Sequence, residues 1–162
     1  MDFQERLEKA IERGQQAGTD RARAEAERAL TEKELQRLHS QYRLALSERI
    51  ERCLEQMADR FPGFRFETIV DERGWGAAIS REDIHIKAGR SGTSFSRLEM
   101  VIRPISAYFV LELAAKATVG NRELFRRTHY QRLAEVDPTS FDELIDLWVL
   151  ECAERYAAES RR

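Results

Sequence analysis

The sequence lacks an excess of charge of either sign and lacks any long apolar run. Its 27 basic and 29 acidic residues give a formal net charge of −2, so no global field attracts the chain to nucleic acid or acidic lipid. No stretch approaches the roughly 18 apolar residues of a membrane span. The N-terminus has neither the basic nor the apolar region of a signal peptide. We therefore expect a soluble, cytoplasmic protein that does not bind membranes.

Cysteine and histidine are too few and too widely spaced for a disulfide framework or a metal site. Both cysteines, Cys53 and Cys152, fall on predicted helices, where we expect small buried apolar residues. The three histidines, His39, His85 and His129, have no ligand spacing with one another or with either cysteine. The sequence predicts neither a bound metal nor a cofactor.

Motifs of common catalytic sites are also missing. The chain contains no GxSxG, HExxH or dinucleotide-binding glycine pattern, and neither cysteine lies in a glycine turn that could present a nucleophile. Glu67, Glu99 and Glu112 could align across neighbouring strands, but they alternate with arginine and lysine. That alternation favours cross-strand ion pairs on an exposed sheet face. We therefore expect a protein that is not an enzyme.

A helical arm is predicted for residues 1–60. Within residues 2–13, Phe3, Leu7 and Ile11 recur at the spacing of an amphipathic helix and form one narrow apolar stripe. The segment that follows has few large apolar residues, so most of its helix should be solvated.

The arm should divide into an outer and an inner part. "GQQAG" at 14–18 predicts a break or hinge, because each glycine inside a helix costs about 1 kcal/mol. In residues 35–60 the apolar positions recur about every 3.7 residues, which favours packing on the domain at 61–162 over a left-handed heptad coil. A short coiled-coil or helix-pair dimer is the alternative.

Between residues 64 and 119 the apolar period changes from near 3.6 to 2, which indicates strands. Short turns separate the apolar segments, and "SRED" at 80–83 is one of the predicted turns. The pattern predicts an antiparallel meander of five strands, which begin near Phe64, Trp75, Ile84, Leu98 and Phe109. Such a sheet needs a cover on one face.

Helices near the C-terminus can supply that cover. Residues 122–136 have a helical stripe but could instead add a strand. Ser140 and Glu143 form a capping box, and an amphipathic helix follows it to Tyr156 and beyond. The predicted class is α+β: an N-terminal helical arm, a five-stranded antiparallel meander covered on one face by helices, and a closing amphipathic helix.

The stretch "AGRSGTSFSR" at 88–97 resembles an anion-binding loop because it combines glycines, hydroxyl side chains and arginines. It lacks the lysine, the spacing and the following helix of a Walker loop, so we interpret it as a hairpin connection of about six residues. The alternative is an anion site that uses Lys87, Arg90, Ser91 and Thr93.

For function, the arm is the strongest feature. An apolar tip at Phe3, Leu7 and Ile11 is typical of a helix that docks on another protein. We expect a protein-interaction or scaffold module that binds itself as a dimer or binds another protein. A frayed, solvated N-terminus is the alternative.

Nucleic-acid binding is the second functional hypothesis. One segment mixes basic and aromatic residues, as in proteins that contact phosphates and stack on bases: Arg122, Phe125, Arg126, Arg127, Tyr130 and Arg132. Glu123 can pair with Arg127 on a helix, however, and the next segment is acidic. An ion-paired surface helix is therefore favoured.

Overall fold

Two helices, five strands and one 3₁₀ turn make up the described part of the chain. The computed structural model describes residues 2–160, apart from the side chains of residues 29, 30 and 87. The elements, in chain order, are α1 (Phe3–Arg60), β1 (Arg65–Asp71), β2 (Gly74–Lys87), β3 (Arg90–Ile102), β4 (Val110–Val119), β5 (Arg122–Arg132), a 3₁₀ turn (Leu133–Glu135) and α2 (Pro138–Ser160).

The strands form one antiparallel sheet in the order β1-β2-β3-β4-β5. One face of the sheet carries large buried side chains, among them Leu98, Met100 and Ile102 of β3. Helix α2 lies over this face, where the Trp148 ring is 6.3 Å from that of Phe125 in β5. The predicted α+β class, with helices over one face of a five-stranded meander, is confirmed.

Strand β2 is longer than the sequence pattern predicts. It pairs with β3 without interruption as far as Lys87, so the predicted turn at 80–83 is wrong. The charged residues remain in the strand because Arg81 Nε donates to Asp83 Oδ1 at 2.7 Å. The Tyr156 hydroxyl of α2 donates to the other oxygen of Asp83 at 3.1 Å. The two segments predicted as separate strands are therefore one strand.

The connection after β2 is also tighter than predicted. Ala88 and Gly89 alone join β2 to β3, with φ of 53° and 78°, which is the backbone of a two-residue hairpin turn. The prediction of a six-residue connection is wrong because "RSGT" already belongs to β3. Near this turn the side chains of Ile84 and Ile86 in β2 are exposed. The alternation of apolar and polar residues in this segment predicts instead that both face the core.

Residues 122–132 form strand β5, so the helical interpretation of 122–136 is wrong and the strand alternative is right. β5 pairs with β4 along its length, with one register shift next to Ala117. Asn121, at φ 67°, lies in the turn before β5. Its Oδ1 accepts from the Phe95 amide at 2.7 Å. The fifth strand of the sheet is thus this segment.

Helix α1 is continuous through residues 14–18, in contrast to the predicted break. A Cβ at Gly14 or Gly18 would meet no atom within 4 Å. The helix is continuous at a propensity cost of about 1 kcal/mol for each glycine, and the alanine, glutamate and arginine residues around them are good helix formers. The chain divides into two units, Met1–Arg37 and Leu38–Arg162, and the second unit contains the last part of α1 together with the sheet and α2.

The start of α2 differs from the predicted capping box. The helix begins at Pro138, and Asp137 Oδ1 accepts from the Thr139 amide at 3.1 Å. Asp137 is thus the N-cap and Pro138 takes the first helical position, where its missing N–H is no loss. Ser140 instead accepts from the Gln131 side-chain amide at 2.7 Å. The capping box at Ser140 and Glu143 is wrong.

A buried histidine joins α1 to the loop after β3. The His39 side chain is buried, and its Nε2 donates to the Arg103 carbonyl at 3.0 Å. Its ring lies edge-on to that of Trp75, with centroids 6.3 Å apart. Burial lowers the pKa of His39, and the positive charge of Arg43 lowers it further, while the bond to Arg103 opposes both effects.

This lowered pKa predicts a loss of stability in mild acid. Below about pH 6.5 the unfolded chain takes up a proton at His39 that the folded chain does not bind. The free energy of unfolding should therefore fall as the pH drops from 7.5 to 5.5. His39→Gln keeps a donor for Arg103 but cannot titrate, so its loss over the same range should be smaller. Urea unfolding at both pH values measures the difference, and equal losses in the two proteins would contradict this role.

Candidate interaction surfaces

The apolar tip of α1, defined as Phe3, Leu7 and Ile11, lies in solvent. These side chains are 76%, 46% and 51% exposed, and the described side chains of residues 3–28 are all exposed. Asp2 caps the helix, because its Oδ1 accepts from the Glu5 amide at 2.8 Å. The helix geometry places the three apolar residues on one side. The tip is therefore an exposed stripe on a capped helix.

The described side chains of the predicted anion site, those of Arg90, Ser91 and Thr93, do not converge on one point. Lys87 and Arg90 are cross-strand partners beside the hairpin turn, and Ser91 and Thr93 follow in β3. Successive side chains of a strand point to opposite faces, so Arg90 lies on the face opposite Ser91 and Thr93. All three described side chains of this set are exposed, while that of Lys87 lies outside the described part. No shared cradle for an anion is formed by the three.

The predicted basic-aromatic set is divided between the two faces of β5. Phe125 is buried against Trp148 of α2. Arg127 points to the same face and donates to Glu151 at 2.5 and 3.1 Å. This hydrogen bond lowers the pKa of Glu151. Phe125 and Arg127 are thus part of the packing between β5 and α2.

Three members of that set share the opposite, open face of the sheet. The alternation of β5 places Arg126, Tyr130 and Arg132 on this face, and all three are exposed. Lys116 lies beside Arg126 as its partner in β4. The remaining member, Arg122, begins the strand. The structure therefore places two arginines, a lysine and one tyrosine along this face, with Glu112 beside Tyr130 as its partner in β4, rather than the whole set.

Two of the three glutamates predicted to form cross-strand ion pairs, Glu67 and Glu99, do so, whereas Glu112 has no ion pair within 4.0 Å among the described residues. Arg97 contacts Glu67 at 2.9 Å and Glu99 at 3.3 Å. Arg73 also donates to Glu99 and pairs with Asp71 at 2.7 Å. Glu67 and Glu99 are thus joined through arginines across three strands. Both carboxylates are thus engaged in contacts that bridge the surface of the sheet.

A groove between the two helices was not predicted from the sequence. It has a volume of about 630 Å³, which is within the usual size of ligand and peptide pockets. We call it the α1–α2 groove. Its principal lining residues are Arg52, Cys53, Met57 and Arg60 of α1 with Val149 and Leu150 of α2. The exposed Leu150, which widens the apolar stripe of α2 beyond its buried side, is the signal that could have indicated the groove.

One bidentate ion pair closes the groove at one end. Arg49 donates to both oxygens of Asp146, at 3.1 and 2.6 Å, and this hydrogen bonding lowers the pKa of Asp146. The Cys53 thiol lies 3.5 Å from the same carboxylate. Burial, followed by this contact, raises the pKa of Cys53. Among the described residues, Arg52 and Arg60 have no ion-pair partner within 4.0 Å. The groove therefore combines an apolar floor with two unpaired cations.

The remaining features carry little chemistry. Burial raises the pKa of Cys152 to about 12, so its thiol is unreactive at neutral pH. Within residues 2–160, histidine, cysteine, aspartate and glutamate side chains form no group that could hold a metal ion. No helix in the described part is both long and apolar enough to span a bilayer.

Comparison with family models, curated proteins and solved structures gives no match to this chain. The functional interpretation therefore depends on the surfaces described above.

Proposed function

We propose that this protein is a non-enzymatic interaction module that binds a second copy of itself through the outer part of its helical arm, residues 3–37 of α1. The observation that carries the proposal is the exposed apolar tip at Phe3, Leu7 and Ile11. Three apolar side chains at i, i+4 and i+8 are the usual anchors of a helix that docks in a groove.

The energetics of the arm support a partner. Most helical stability in proteins comes from packing of an apolar face rather than from propensity, yet the described side chains of residues 3–28 are exposed. Gly14 and Gly18 together cost this helix about 2 kcal/mol relative to alanine. Burial of the tip against a partner would offset that cost, because a fully buried leucine or isoleucine contributes about 1.5–3 kcal/mol.

The test is the oligomeric state of the full chain and of a variant truncated to begin at Thr19. Light scattering after size exclusion should give twice the 18.9 kDa chain mass for the full chain and the monomer mass for the truncated one. Leu7→Asp should also give monomers, because it places a charge in the buried stripe. Leu44→Asp, at another exposed leucine of α1, is the matched control and should remain a dimer.

A monomeric full chain at all accessible concentrations would overturn self-association.

Nucleic-acid binding is the second candidate, and the observation that favours it is the set of Arg126, Tyr130, Arg132 and Lys116 on the open face. If the monomer bound oligonucleotides with a steep salt dependence, this second candidate would take precedence.

A further inference from the structure

We propose that the receptor for the apolar tip is the α1–α2 groove of a second copy, so that each copy inserts its tip into the groove of the other. This inference rests on the proposed self-association and names the surface that receives the arm. The groove has a buried floor that includes Met57 and Val149 and an exposed rim at Leu150. A helix with Phe3, Leu7 and Ile11 on one side supplies apolar anchors for that floor.

The charges of the two surfaces match. At 100° per residue, Glu8 and Glu12 flank the apolar tip on one side, whereas Arg6 and Arg13 flank it on the other. The α1 wall of the groove carries Arg52 and Arg60, which have no ion-pair partner among the described residues, whereas Asp146 on the α2 wall is already paired with Arg49. One orientation of the tip therefore places its acidic side, at Glu8 and Glu12, against the two unpaired arginines. Complementary rims of this kind determine orientation and partner choice.

Pairing of one tip with another tip would bury less. A parallel helix pair needs apolar residues at alternating spacings of three and four over several heptads. Beyond Ile11 the stripe continues with Gly14 and Gly18, which add no apolar side chain. A preformed groove can instead receive three anchors at once. Reciprocal insertion also gives a closed two-fold dimer, since each copy supplies one tip and one groove.

Charge reversal on each side tests the contact. Variant A carries Glu8→Arg and Glu12→Arg, and variant B carries Arg52→Glu and Arg60→Glu. Each variant alone should dimerise at least about 10-fold more weakly than the natural chain, because like charges then face each other. A 1:1 mixture of A and B should recover near-normal affinity in sedimentation equilibrium, since both contacts of the mixed dimer are then complementary.

Two leucines of α2 provide a matched pair of variants. Leu150 is 63% exposed and lines the groove, whereas Leu147 is 59% exposed and lies outside it. Leu150→Asp should weaken the dimer about 30-fold or more, because it places a charge against the apolar side chains of the docked tip. Leu147→Asp should leave the dimer unchanged.

A chemical readout avoids substitutions in the groove. Docking should cover Cys53, so maleimide labelling of Cys53 should be slower in the natural dimer than in Leu7→Asp, with the buried Cys152 as reference.

Failure of the proposed self-association and failure of the groove as receptor give different results. A monomeric natural chain overturns the proposed function. A different result would overturn only the groove as receptor. In that case truncation disrupts the natural dimer, but variant B and Leu150→Asp remain dimers and the labelling rate of Cys53 is unchanged.

Discussion

Gly76→Ala should destabilise the protein by about 3 kcal/mol, the upper end of the range for overpacking. Gly76 lies in β2 between Ile69 of β1 and Val101 of β3. A Cβ at this position would lie 1.9 Å from the Met100 carbonyl oxygen and 2.8 Å from the Val101 Cα. Both are backbone atoms, so the strands themselves would have to separate. Thermal unfolding at a fixed protein concentration should show a melting temperature lower by about 6–12 °C.

Gly92→Ala is the matched control for this substitution. Gly92 also lies within a strand of the same sheet, but a Cβ there would meet no atom within 4 Å. Its alanine variant should change the free energy of unfolding by less than about 0.5 kcal/mol. If both variants had the same melting temperature, the close approach of β2 and β3 at Gly76 would be wrong.

Phe141→Ala should have an effect of similar or greater size. Phe141 is fully buried near the start of α2, and its ring lies 5.0 Å from that of His129 in β5. Removal of a buried phenylalanine leaves a cavity and costs about 3–5 kcal/mol. For a chain of this length the melting temperature should fall by about 6–20 °C.

The comparison for Phe141 is Leu147, an exposed residue of the same helix. Leu147→Ala should be close to neutral in the same urea or thermal titration. A small effect at Phe141 would mean that α2 does not pack on the sheet as described. Retained helical circular dichroism with a lowered melting temperature is the expected pattern.

Local periodicity predicted the class of the fold better than its strand boundaries. Phe125, His129 and Leu133 are four positions apart, and a spacing of four fits both a helix and a strand. Residues 122–132 form a strand because they pair with β4. No local sequence pattern reveals that pairing. At 80–83 the charged residues resemble a turn, but Arg81 and Asp83 pair with each other and keep the strand regular.

The candidate surfaces show the same limit. The apolar tip was predicted because its three residues lie within one helix and need no distant partner to be recognised. The α1–α2 groove was missed because its walls come from segments about ninety residues apart, as the separation of 97 between Arg49 and Asp146 illustrates. Only the folded chain brings Arg52 and Leu150 to one surface.

The strand order also has a consequence for how the chain folds. Every strand pairs with its neighbour in sequence, so each hairpin closes a short loop at small entropic cost. Such local closures are fast compared with pairings of distant segments. The contact between α1 and α2 joins segments that are separated in the sequence by all five strands. We therefore expect this contact to form last. Helix α2 can cover its part of the apolar face earlier, through contacts such as that of Trp148 with Phe125, and the docking of α1 then completes the core.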